Sequence, residues 1–192
     1  RRRPGLRIDA DYPGGNIRVN SVRGNRFRVE QDLRDSDRWW FYWNFRVRGA
    51  AGRTLTFDFS ADHMPRAVTR EFAPPGSIKS PIGVRGPAVS RDGGRTWRWL
   101  GNRCVKGASF RHRFGRNDSN LRFCFSVPYL EENFHEFLLR HGSSPHWKLK
   151  RLCRSEGGRD VEVLFAGRLD ARPRHRILLT ARHHCCEMIA SH

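Results

Sequence analysis

Residues 39–48 constrain the fold more than any other stretch. Trp39, Phe41, Trp43, Phe45 and Val47 alternate with Trp40, Tyr42, Asn44, Arg46 and Arg48. A period of two belongs to a strand and turns the first set toward a core. A turn at residues 49–52 follows, after which Leu55, Phe57 and Phe59 alternate with Thr54, Thr56 and Asp58, predicting an antiparallel pair. So many rings would also suit base stacking or a sugar platform, but the strict alternation assigns them to packing.

The neighbouring segments repeat the pattern. After the turn formers Pro13, Gly14 and Gly15, two short strands are predicted around Ile17 and Val19 and around Phe27 and Val29, with Gly24 and Asn25 turning between them. Pro65, Pro74, Pro75, Pro81 and Pro87 restrict the next third of the chain to loops and edge strands. Phe110 and Phe114, then Leu121, Phe123 and Phe125, supply two further strands. Together these make an all-β unit of roughly eight short strands, the spacing of a sandwich. Ser90-Arg91-Asp92-Gly93-Gly94-Arg95-Thr96-Trp97 resembles the Asp-box hairpin of sialidases and related propellers. It has no second copy, so the motif is read as a hairpin device with Asp92 structural, not catalytic.

Past Pro128 the pattern changes. Leu130, Phe134, Phe137 and Leu138 recur at helical spacing, with Glu131 and Glu132 at the start and Arg140 and His141 at the end, matching the helix dipole. Residues 147–153 and 161–166 read as a hairpin turned at residues 155–159. His135, on the helix, is read as a surface residue rather than a ligand.

The net charge of +18 is almost wholly arginine, since Lys79, Lys106, Lys148 and Lys150 are the only lysines. The cations are spread through every segment, alternating with apolar residues as on a solvated sheet face, which argues against a dedicated nucleic-acid surface. Five cysteines without C-x-x-C spacing, two of them adjacent, fit a reducing compartment. No apolar run reaches the length of a membrane span and no signal peptide is recognisable, so the expected location is cytoplasmic.

Metal-binding side chains gather at residues 175–192. Ile177, Leu178, Leu179 and Thr180 form an apolar run of the kind that makes a buried strand of a parallel sheet. Ala181, Arg182, His183, His184, Cys185, Cys186 and Glu187 follow, with Met188, Ile189 and Ala190 starting a helix. Open α/β sheets place ligands at such strand ends. His184 and Glu187, three apart, reach one ion from the same side, whereas a catalytic zinc takes three protein ligands and keeps a position for water. His183 with Glu187 is a second frame, and Cys185 and Cys186 are alternative soft ligands. Spacing does not choose among these.

The segment LLTARHHCCEMIAS resembles the first zinc-ligand segment of the metallocarboxypeptidases, in the cytosolic carboxypeptidase-like branch. DYPGGNI, RWWFYWNFRVRGAAGRTLTF, SRDGGRTW, FSVPYLEENF and the segment around EGGRDVEV are similar to other segments of that branch, in order. The resemblance implies zinc held by His184 and Glu187, His183 as the variable position, and Cys185 and Cys186 in place of a commoner Pro-Gly or Pro-Ala pair. It also implies a mainly β chain: an amino-terminal antiparallel β-sandwich over residues 1–127, then the truncated start of an α/β zinc carboxypeptidase domain over 128–192. The activity implied is hydrolysis of carboxyl-terminal residues of peptides or proteins, polyglutamate tails among them in some members. The third zinc ligand and the catalytic carboxylate have no counterpart here, so the chain is read as an amino-terminal fragment, inactive alone. The alternative is a non-enzymatic β-sandwich that binds an acidic or carbohydrate partner.

Overall fold

In a computed structural model that describes residues 5–34, 42–59, 81–169, 172–184 and 186–192, ten short strands build two five-stranded sheets. The strands are β1 (Arg7–Asp9), β2 (Arg18–Arg23), β3 (Arg26–Glu30), β4 (Asn44–Arg48), β5 (Thr54–Asp58), β6 (Ala88–Ser90), β7 (Arg98–Trp99), β8 (Val105–Lys106), β9 (Ser109–Arg113) and β10 (Asn120–Cys124). One sheet runs β1-β4-β10-β6-β7 and the other β2-β3-β5-β9-β8. Their pairs are antiparallel except β3 with β5, where Phe27 lies beside Phe57 in parallel register.

Alternation does what it predicts at the level of faces. Phe45 and Val47 from β4, Phe123 from β10, Phe27 from β3, Leu55 and Phe57 from β5 and Phe110 from β9 are all buried in one cluster. Rings from the two sheets meet there: Phe45 lies 5.0 Å from Phe57, and Phe123 lies 5.6 Å from Phe57 and 5.5 Å from Phe110. Each fully buried ring contributes about 2 to 3 kcal/mol by removal from water. Trp39, Trp40 and Phe41 lie outside the described residues, as do Pro65, Pro74 and Pro75.

Two expectations need correction. β4 and β5 are not hairpin partners, because each belongs to a different sheet. The turn after β4 is an arch between the sheets, and residues 114–119 form a second arch between β9 and β10. The arches bond each other through Gly49 N–H to Ser119 O (3.1 Å), Gly52 N–H to Gly115 O (3.2 Å) and Phe114 N–H to Arg53 O (2.8 Å). Alternation fixes which side chains enter the core, but a strand placed beside its neighbour and one placed opposite it bury the same residues. Tyr42, expected on a wet face, is buried, and its hydroxyl donates to Gly14 O at 2.5 Å.

The segment that meets Tyr42 follows β1 and includes Pro13, Gly14 and Gly15. Gly15 approaches Ala10 so closely that a Cβ would stand 2.0 Å from its carbonyl oxygen, so no larger residue fits. Nearby, the Tyr12 hydroxyl donates to Asn44 Oδ1 (2.8 Å), and the Arg122 guanidinium stacks 4.1 Å above the Tyr12 ring. Asp9 receives Arg46 at 2.6 Å and Arg48 at 2.8 Å. Burial raises the Asp9 pKa, but the two guanidinium hydrogen bonds outweigh it and hold the carboxyl below its ordinary value.

The Asp-box octapeptide caps the β6–β7 hairpin, in which Val89 pairs with Arg98. Asp92 accepts from the Thr96 N–H (2.9 Å), the Thr96 hydroxyl (2.5 Å) and the Ser90 hydroxyl (2.8 Å), while Trp97 Nε1 donates to Gly94 O (2.8 Å). These bonds, those from Thr96 foremost, hold the Asp92 carboxyl well below the usual carboxylate range.

By contact, the chain divides into Arg1–Pro128 with Arg182–His192, and Tyr129–Ala181. The second unit holds helix α1 (Glu131–His141) and an antiparallel hairpin of β11 (Trp147–Arg154) and β12 (Asp160–Ala166). Asn133 Oδ1 caps α1 by accepting the Leu130 N–H at 2.7 Å. Phe137 packs edge-on to Trp147 at 5.6 Å, joining helix and hairpin, and His135 is a half-exposed residue 4.0 Å from Glu162.

Candidate metal centre

The approach to the predicted ligands differs from expectation. Residues 177–180 form no strand, and Ile177, Leu178 and Leu179 are 84%, 83% and 89% exposed. A buried parallel strand needs neighbours on both edges and both faces, and among the described residues no strand pairs with this run. The predicted helix from Glu187 is likewise replaced by one 3₁₀ turn, Ile189–Ser191.

The ligand loop itself is ordered by local bonds. Arg182 takes a left-handed conformation (φ 59°), an uncommon one for a residue with a Cβ, and turns the chain into the histidines. The Glu187 N–H then donates to His184 O (3.1 Å), the Met188 N–H to Cys186 O (3.0 Å) and the Ser191 N–H to Met188 O (3.0 Å). Met188 is fully buried, whereas His184 and Glu187 remain exposed. One apolar anchor thus holds a turn whose polar side chains face outward.

Within that turn His184 Nδ1 lies 2.8 Å from Glu187 Oε1, and the His184 N–H reaches Oε2 at 3.3 Å. Donating a hydrogen bond to the Glu187 carboxylate, reinforced by its charge, raises the His184 pKa, and accepting that bond lowers the pKa of Glu187. His184 Nδ1 and Glu187 Oε1 are thus hydrogen-bonded to each other, and an imidazole nitrogen and a carboxylate oxygen are donor types that zinc accepts. To hold an ion, the pair would have to give up that hydrogen bond and its proton, which the exposure of both side chains allows.

The set is incomplete. Among the described residues no third His, Cys, Asp or Glu joins the pair in a metal-holding group. His192 turns away, its Nε2 lying 3.4 Å from Val127 O. Cys104, Cys124 and Cys153 are free thiols, and Cys185 lies outside the described residues. The sequence reading does not single out Met188 as the anchor, although an apolar residue directly after Glu187 is a legible signal for one. Among the described residues no helix is long and apolar enough to cross a membrane.

No protein-family model and no curated protein matches the chain. Its fold does match solved structures. A metallo-carboxypeptidase from Burkholderia cenocepacia aligns over 85% of this chain and 40% of its own, with a TM-score of 0.62 and 20% identity. A putative carboxypeptidase from Burkholderia mallei ATCC 23344 aligns over 88% and 40%, with a TM-score of 0.64 and 22% identity. A metallo-carboxypeptidase from Pseudomonas aeruginosa, in complex with (2-guanidinoethylmercapto)succinic acid, aligns over 82% and 39%, with a TM-score of 0.57 and 24% identity. The chain therefore has the fold of part of these proteins and spans about 40% of their length.

Proposed function

We propose that the chain supplies the amino-terminal β-sandwich and the first metal-ligand segment of a zinc carboxypeptidase acting on the carboxyl termini of peptides or proteins. The observation that carries this reading is the convergence of His184 Nδ1 and Glu187 Oε1 to 2.8 Å in a chain with the fold of part of the metallo-carboxypeptidases. The exposed apolar run Ile177–Leu178–Leu179 agrees with this reading, because apolar surface of this kind is ordinarily covered by a neighbouring segment. The cytosolic carboxypeptidase-like branch and a cytoplasmic location remain part of the same proposal.

His184 would offer Nδ1 and Glu187 its carboxylate to the ion, and the His184 N–H would continue to orient the carboxylate through Oε2. Zinc held there supplies a Lewis acid and a water of pKa about 7. The turn anchored by Met188 keeps both side chains on the same side of the loop. The described residues bring two ligands where catalysis needs three, so weak zinc binding and no hydrolysis are expected of residues 1–192 by themselves.

Release of carboxyl-terminal residues from peptides by a protein extended through the downstream coding sequence tests the proposal. Activity is expected with zinc, is abolished in His184→Ala and in Glu187→Ala, and persists in His183→Ala. Activity lost in His183→Ala but retained in His184→Ala would transfer the ligand role to the other histidine. Chelator-insensitive hydrolysis by residues 1–192 would end the zinc reading.

A further inference from the structure

The β2-β3-β5-β9-β8 sheet carries a second polar surface that is independent of the metal reading. Residues opposite one another in paired strands share a face, so Arg113 stands beside Thr54, Arg111 beside Thr56, and Lys106 beside Ser109, away from the core rings Phe57 and Phe110. Arg103, in the 3₁₀ turn Asn102–Cys104, comes to the same place. With Thr54 and Cys104 these four cations line a concavity of about 530 Å³.

Among the described residues the charge there is uncompensated. Arg103, Lys106, Arg111 and Arg113 are exposed and form no ion pair among the described residues. The nearest carboxylate in the sheet row, Asp58, is already taken by Arg26 at 2.5 and 3.1 Å. Four like charges around one hollow repel one another unless an anion enters. The Cys104 thiol donates to Gly101 O (3.1 Å), and burial raises its pKa, so it adds neither negative charge nor a nucleophile.

We propose that this concavity binds a compact polyanion carrying a chain of phosphate groups. Guanidinium groups meet phosphate oxygens through paired, charge-assisted hydrogen bonds, and Thr54 contributes a hydroxyl. The hollow is open to solvent, and its volume lies in the range of small-ligand sites. Its lining contains no aromatic ring on which a base could stack, so recognition rests on the phosphates. The alternation of Arg111 and Arg113 with core residues reads in sequence as an ordinary wet face; the pairing of β9 with β8 brings Lys106 to the same face, and the 3₁₀ turn adds Arg103.

Calorimetric titration of the 192-residue chain with tripolyphosphate, at about 150 mM salt to screen diffuse attraction, tests this. One site is expected. Arg111→Ala with Arg113→Ala weakens it at least about tenfold, whereas Arg116→Ala with Arg159→Ala, which removes the same charge elsewhere, changes it less than about twofold. Both pairs are exposed, and unchanged far-ultraviolet circular dichroism verifies the fold. ATP is expected to bind no tighter than tripolyphosphate. Equal weakening by both double variants would reduce the effect to net charge and overturn the site. Tighter binding of ATP, of a single-stranded oligonucleotide or of an acidic peptide, lost with Arg111 and Arg113, would overturn the assignment to phosphate chains.

Discussion

Trp43→Ala removes the side chain on which the aromatic core converges. Trp43 is fully buried, and its ring centroid lies 4.8 Å from Phe59, 5.8 Å from Phe45, 6.0 Å from Phe110 and 6.4 Å from Phe125. Its Nε1 donates to Pro81 O at 3.1 Å. Truncating a buried tryptophan costs about 3 to 5 kcal/mol, and the abandoned Pro81 carbonyl adds about 1 kcal/mol, which places the loss near 5 kcal/mol. That is a large share of a domain's total stability of about 5 to 15 kcal/mol. Urea unfolding followed by circular dichroism at 222 nm measures it without depending on tryptophan fluorescence. Trp43→Phe, which keeps a ring but not the donor, should lose about 2 kcal/mol. A loss below about 1 kcal/mol for Trp43→Ala would remove this ring from the core and refute the two-sheet packing built around it.

Tyr42→Phe should cost about 1 kcal/mol through its lost bond to Gly14 O, read as a lowered urea midpoint; no change would return Tyr42 to a wet face. Asp92→Ala should destabilise by about 1 kcal/mol, the low end because the carboxylate is exposed. The stability contributed by Asp92 is present above the ordinary carboxylate pKa and is lost in acid as its depressed folded value is passed. His112, buried edge-on to Phe114 and Phe123, has its pKa lowered to about 4 by burial first, with Arg91 and Arg98 opposing the raising effect of Asp118. A depressed folded pKa means that the unfolded chain binds the proton first, so stability is complete above about pH 6.5 and falls by about 3 kcal/mol toward pH 4. Unfolding midpoints across that window should flatten in His112→Leu, and an unchanged slope would assign the dependence elsewhere.

The alternation of large apolar side chains was legible because it records which face is buried. Phe45, Val47, Leu55, Phe57 and Phe110 all lie where their period of two puts them. The turn at Gly24 was legible too, since Arg23 and Arg26 close the β2–β3 hairpin around it. Sheet membership was not: nothing in residues 44–58 distinguishes an arch from a hairpin, and the bonds that decide it come from residues 114–119. α1 was recognisable because its charges follow the dipole, with Glu131 and Glu132 in the first turn and Arg140 and His141 in the last. Residues 177–180 suggest a strand by being apolar and partly branched, and that composition does not provide a partner. At residues 183–187 spacing leaves His183 and His184 level, and it does not show the local turn that brings Nδ1 of His184 within hydrogen-bond distance of Glu187.

Zinc content is the most direct test of the metal segment. The extended protein, purified without added chelator and measured by inductively coupled plasma mass spectrometry, should hold one zinc per chain. His184→Ala and Glu187→Ala should each leave well under a tenth of that amount, and His183→Ala should keep nearly all of it. Full zinc retention in both His184→Ala and Glu187→Ala, with the fold intact, would contradict the assignment.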